Sequence, residues 1–120
     1  MKPNVRACVA YVAGSLISGR SSSSVYDYSQ GKHISISGSV DARAVNIYDH
    51  DQGCNFGGNG SNGDFSLYHY GDSHHVSLKI QGNNFNGYDY GHSCHFSGTV
   101  NAGNISLYDY ETGSHFNYSL

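Results

Sequence analysis

Apolar and polar residues alternate with a period of two along most of this chain. The alternation comes in short runs divided by turn words. From residue 25 onward the runs are six residues long and the breaks four. Alternation at this period sends successive side chains to opposite faces of an extended backbone, so each run is predicted to be a strand. The last unit reads Ile105-Ser-Leu-Tyr-Asp-Tyr, then Glu-Thr-Gly-Ser, then His115-Phe-Asn-Tyr-Ser-Leu. The breaks Ser61-Asn-Gly-Asp64, Gln81-Gly-Asn-Asn84 and Asn101-Ala-Gly-Asn104 carry the residues that tolerate tight turns.

The strands repeat. Tyr26, Tyr48, Tyr68, Tyr88 and Tyr108 recur at spacings of 22, 20, 20 and 20. The two extra residues of the first interval lie between Ser39 and Ala44. A second landmark follows each tyrosine by seven residues: His33, Asn55, His75, His95 and His115. One face of every unit is apolar, as in Ile34, Phe56, Val76, Phe96 and Phe116 on second strands and Val45, Phe65, Phe85 and Ile105 on first strands. The other face carries Tyr26, Tyr48, Tyr68, Tyr88 and Tyr108, a second column of Tyr28, His50, Tyr70, Tyr90 and Tyr110, and the histidine column His33, His75, His95 and His115. Large and small residues also trade places: Gly87 and Gly98 hold the middle positions that Leu107 and Tyr118 fill one unit later.

Two all-β architectures fit. In a two-sheet β-solenoid, about five coils of 20 residues stack equivalent side chains about 4.8 Å apart. In an antiparallel β-meander each unit is a hairpin, and the hairpins close into a barrel or fold into a sandwich. Faithful repetition of Tyr, His, Asn and Ser favours the solenoid, because identical residues form ladders only when they are direct neighbours. The strand–arc–strand unit of about 20 residues resembles the curli class of secreted amyloid repeats, which implies stacked strands in a solenoid. The Tyr-Asp words followed by Gly are similar to the YD repeats of Rhs-type shells, which are built from hairpins. Both resemblances cover residues 25–120, and neither implies a functional residue.

Residues 1–24 break the pattern and form an N-terminal cap or extension to the repeats of 25–120. Val5, Val9, Val12 and Leu16 share one helical face. Three readings stand: a short amphipathic helix capping the first coil, a further strand over 8–17, or a signal segment led by Lys2 and Arg6. The last apolar column runs to Leu120 with no capping element, and an open solenoid end exposes unpaired edges. Charge is lopsided: residues 1–43 carry net +3 and residues 44–120 net −6. That polarity, with the open end, favours head-to-tail contact between copies.

Composition narrows the chemistry. The 120 residues include 16 Gly, 11 Tyr and 8 His but only 12% charged residues, with a net charge of −3. No basic patch for nucleic acid exists, and no apolar run approaches the ~20 residues of a membrane span. Cys8, Cys54 and Cys94 are an odd set. In stacked coils Cys54 and Cys94 stand two units apart, about 9.6 Å, beyond disulfide reach. Cys54, His74 and Cys94, with His75, His92 and His95 nearby, are the Cys/His metal-ligand candidates, at a spacing too wide for a compact site, so no metal or other cofactor is expected. Asp27, Asp49, Asp89 and Asp109 form a column interrupted by His69; an Asx-type cap on each turn is favoured for such carboxylates over calcium bound by successive aspartates, because the Gly-Gly-x-Gly-x-Asp words of calcium-binding solenoids are missing. No catalytic constellation stands out, since catalytic sites are single unrepeated arrangements. The expected function is a non-enzymatic structural repeat protein, extracellular or on a cell surface, that associates with copies of itself into a fibre, matrix or surface assembly. The alternative is a carbohydrate-binding module, or less directly an ice-binding one, that uses the tyrosine face.

Overall fold

A computed structural model describes residues 1–120. One helix, α1 (Pro3–Ser18), precedes ten strands. These are β1 (Ser24–Asp27), β2 (Lys32–Val40), β3 (Ala44–Asp49), β4 (Cys54–Ser61) and β5 (Asp64–His69), followed by β6 (His74–Gln81), β7 (Asn84–Asp89), β8 (Cys94–Asn101), β9 (Asn104–Asp109) and β10 (Ser114–Ser119). Each strand pairs antiparallel with the next in sequence, and β1 pairs with β10 to close a barrel.

The closed antiparallel meander replaces the solenoid expected from the repeat. The physical reason lies in the seven-residue landmark. Tyr26 stands opposite His33, Tyr48 opposite Asn55, Tyr68 opposite His75, Tyr88 opposite His95 and Tyr108 opposite His115. The offset is therefore the register of a hairpin, and the repeat is conserved by cross-strand pairs within each unit. Equivalent residues lie two strands apart, so the tyrosines do not form a continuous ladder.

The two ends of the barrel use different turns. At one end, called the mouth, short connections such as Asn62–Gly63 take φ of 53° and 83°. That left-handed pair suits the right-handed twist of the flanking strands. At the other end, called the base, four-residue turns close with a left-handed residue at Gly31, Gly53, Ser73, Ser93 and Gly113.

Apolar side chains point inward. Val25, Ile34, Ile47, Phe56, Leu67, Leu78, Phe96 and Leu107 are among the buried wall residues. The outer wall is built of Tyr, His, Ser, Asn and Gly, the reverse of a barrel whose wall faces lipid. No helix is long and apolar enough to cross a membrane. Side chains alone fill a barrel of about eight strands. Ten leave a wider lumen, and α1 occupies it, which is where residues 1–24 depart from the cap over an open end. Its buried residues run without a break from Val5 to Gly14. Ala7, Ala10 and Ala13 are as buried as Val5, Val9 and Val12, so the helix is enclosed on all sides rather than on one stripe. Small side chains let the helix fit: at Gly14 an added Cβ would come within 2.8 Å of Ile105 Cδ1. Gly19, at φ 72°, ends the helix by donating its N–H to the Ser15 carbonyl.

Candidate functional site

Two regions gather polar chemistry: the base of the barrel and its outer wall. At the base the aspartate column becomes a collar. Asp27, Asp49, Asp89 and Asp109 are fully buried at the ends of their strands. Each caps its turn. Asp27 Oδ1 accepts from Ser29 N at 2.9 Å, Asp49 Oδ1 from Asp51 N at 2.8 Å, Asp89 Oδ1 from Gly91 N at 2.8 Å and Asp109 Oδ1 from Glu111 N at 2.9 Å. His69 occupies the fifth position and does the same job, with Nδ1 accepting from Asp72 N at 3.1 Å. These are Asx-type caps, which match short polar side chains to turn N–H groups.

The second oxygens of Asp49 and Asp109 meet the start of α1, while that of Asp27 accepts from Gln30 Nε2 at 2.7 Å. Asn4 donates to Asp49 Oδ2 at 3.0 Å, and the Arg6 guanidinium donates to Asp109 Oδ2 at 3.3 Å. Arg6 also donates to the Met1 carbonyl at 2.7 Å and lies 3.7 Å from the centre of the Phe116 ring. The Met1 ammonium pairs with Asp109 and Glu111, and Lys2 pairs with Asp72 at 2.7 Å. The positive end of the helix dipole points the same way. So the charge polarity between the two ends of the sequence is answered inside one chain, by a basic helix start seated in an acidic collar. Hydrogen bonds to their charged forms hold the Asp51 and Glu111 carboxyls below the usual carboxylate range: for Asp51 chiefly that from the Asn4 amide and then that from Lys32, for Glu111 that from the Met1 ammonium.

The cysteines belong to this base and are all free. Burial pushes the thiols of Cys8, Cys54 and Cys94 up, away from the thiolate that metal binding or nucleophilic chemistry needs. The candidate ligands Cys54, His74 and Cys94 are not brought together. Cys54 Sγ lies 3.8 Å from His69 Nε2, whereas His74 pairs with Asp72 and Asp89, each at 3.3 Å. Three ligand atoms come within 4.8 Å of one another only at Cys94, Asp109 and Glu111. There the Met1 ammonium already supplies the positive charge.

The outer wall carries the other group. Each hairpin presents an aromatic cluster around its central tyrosine. Tyr26 packs edge-on against Tyr28 at 4.8 Å and His33 at 4.7 Å. Tyr68 meets Tyr70 and His75, each at 4.9 Å. Tyr88 meets Tyr90 and His95 at 4.8 and 4.7 Å, and Tyr108 meets Tyr110 and His115 at 4.8 and 4.7 Å. In the second hairpin Tyr48 pairs with His50 at 4.9 Å, and Asn55 stands in the histidine position. The central rings are therefore clamped between two neighbours. The flanking rings stay open: Tyr28, Tyr70, Tyr90 and Tyr110 are 58–61% exposed. His33, His75, His95 and His115 are exposed beside them. These clusters come from the tyrosine and histidine columns of the sequence, but as five separate patches around a barrel rather than one continuous flat face.

The amide and hydroxyl side chains outside the clusters carry no signal in the sequence repeat. Thr99, Asn101, Asn104, Ser106 and Asn117 line a groove of about 420 Å³ with Tyr28, floored by the buried Ile105 and Tyr118. Only the register at barrel closure, which the repeat does not specify, brings Tyr28 to these residues.

Comparison of the chain with protein-family models, with curated proteins and with solved structures returns no match.

Proposed function

We propose that this protein is a non-enzymatic carbohydrate-binding module that uses its outer aromatic wall. The observation that carries the reading is the set of tyrosine rings held edge-on by their neighbours yet more than half exposed on a closed barrel. A rigid exposed ring offers an apolar face for the C–H side of a sugar, and its hydroxyl stays available at the rim. Ser, Asn and His side chains around the rings supply donors and acceptors for sugar hydroxyls.

Head-to-tail assembly loses the features that suggested it. Closure pairs β1 with β10 and leaves no open strand edge of the kind a solenoid end would expose. The basic start of the chain meets its acidic partners within the same molecule. The raised cysteine thiols and the turn-capping role of the buried aspartates give no nucleophile or general base a task.

The test is a glycan array read with the purified protein and the quadruple variant Tyr28→Ala/Tyr70→Ala/Tyr90→Ala/Tyr110→Ala. All four rings are 58–61% exposed, so the fold should survive their loss. Retention of a glycan by the parent protein, and its loss in a variant that melts normally, is the expected result. Unchanged retention, or no retention of any glycan by the parent, would count against the reading. Tyr68 and Tyr88 are poorer probes, because each is wedged between two other rings.

A further inference from the structure

The repeat makes five aromatic clusters, but the barrel is not five-fold uniform. At three boundaries between hairpins the flanking tyrosine donates its N–H to the landmark residue of the previous unit: Tyr70 to Asn55, Tyr90 to His75 and Tyr110 to His95. At the closing seam Tyr28 donates instead to Asn117, two residues beyond the landmark His115. The same slip occurs between β2 and β3, where His50 donates to Ser35. There the histidine is taken up by Ser37 Oγ at 2.8 Å, and no tyrosine is placed.

At the seam the slip brings Tyr28 into a polar groove. Thr99 pairs with Ser106, Ser106 with Asn117, and the Asn117 carbonyl accepts from the Tyr28 N–H, so four polar residues lie in one row across β8, β9, β10 and the first residue of the turn after β1. Three strand spacings make this row about 14 Å long. Asn101 and Asn104 face each other one step nearer the mouth. β1 meets β10 through only two residue pairs, so the wall is thin beside the row. Elsewhere the corresponding rows end on a clamped central tyrosine, as Lys79, Asn86, Ser97 and Tyr108 do.

We infer that the seam groove is the specific subsite of this protein, and that it takes a short stretch of an uncharged oligosaccharide; the inference rests on the carbohydrate reading above. Each amide side chain offers both a donor and an acceptor, which suits neighbouring sugar hydroxyls or an acetamido group. Tyr28 closes one end of the row as a stacking ring. None of the lining residues is charged. A uronic or sialic carboxylate would give up hydration there with no cation to meet it. The row is long enough for several linked rings rather than one.

Titration calorimetry distinguishes this from a distributed aromatic surface. The probes are hexamers of β-1,4-linked glucose, β-1,4-linked N-acetylglucosamine and α-1,4-linked galacturonate. The expected result is binding of a neutral hexamer at one site per chain. Tyr28→Ala and Asn117→Ala should each weaken it about tenfold or more, the loss typical of a central contact. Tyr70→Ala and Tyr90→Ala should each cost about fivefold less than Tyr28→Ala. All four residues are exposed, and unchanged melting curves would show that the variants fold. Equal small losses from Tyr28, Tyr70 and Tyr90 with several sites per chain, or preference for galacturonate, would overturn the seam assignment while leaving the carbohydrate reading intact. Binding of no hexamer, with an empty glycan array, would overturn both.

Discussion

Replacing Arg6 by methionine tests the seating of the helix in its collar. Arg6 is 6% exposed, and its partner Asp109 is fully buried. The substitution removes the 3.3 Å ion pair, the 2.7 Å bond to the Met1 carbonyl and the contact with Phe116, while keeping most of the side-chain volume. Breaking a buried pair from one side costs about 3–5 kcal/mol, because the remaining charge stays buried. Asp109 keeps the Glu111 N–H and the Met1 ammonium, so the lower end, about 3 kcal/mol, applies here. In urea unfolding followed by circular dichroism, a slope near 2 kcal/mol/M turns that into a midpoint drop of about 1.5 M. The matched double variant Arg6→Met/Asp109→Asn removes both charges, and the asparagine oxygen can still cap its turn. It should recover to within about 1 kcal/mol of the parent protein. A single variant as stable as the parent, or a double variant worse than the single, would refute the argument that the collar holds the helix through charge.

Other outcomes follow from the same geometry. Gly98→Ala should destabilise strongly, because a Cβ there meets the Phe85 ring and the Ser106 carbonyl; a cost of about 2–3 kcal/mol lowers the melting temperature by roughly 10 °C. His69 is buried, and burial depresses its pKa, with Asp72 pulling the other way. The unfolded chain therefore takes up that proton more readily, so stability should fall as pH drops below about 6.5. His69→Asn keeps an acceptor for the Asp72 N–H and should flatten this part of the curve in urea titrations at pH 5, 6 and 7. Sedimentation should show a single monomeric species at both pH 5 and pH 8, since the histidine columns are separated on the outer wall; filaments or a pH-dependent mass would revive assembly between copies.

Much of the molecule is legible in its sequence, and the gaps have physical causes. Period-two alternation locates every strand and assigns its buried face, because a strand has only two sides. The aspartate caps are legible because a turn needs acceptors for its own N–H groups. Topology is harder. A seven-residue offset between Tyr and His fits a coil with two facing strands as well as a hairpin with two paired ones. Local pattern does not distinguish them, since stacking and cross-strand pairing both reward repetition. The place of α1 follows only once the barrel is known to have ten strands and hence a lumen to fill. Ala7, Ala10 and Ala13 lie off the helical face of Val5, Val9, Val12 and Leu16 and are core in the fold. The seam groove is the least visible feature: it depends on a two-residue slip at closure, and nothing in Thr99, Ser106 or Asn117 marks them apart from their repeats.

Barrel closure underlies the helix seat, the separated aromatic clusters and the groove alike. Through-space proton contacts measured by NMR on isotope-labelled protein test it directly. Closure requires backbone contacts between Tyr26 and Ser119 and between Asp27 and Tyr118, together with contacts from Gly14 to Ile105. Backbone contacts between equivalent residues of successive units, such as Tyr68 to Tyr88, with none between β1 and β10, would show stacked coils and contradict the barrel.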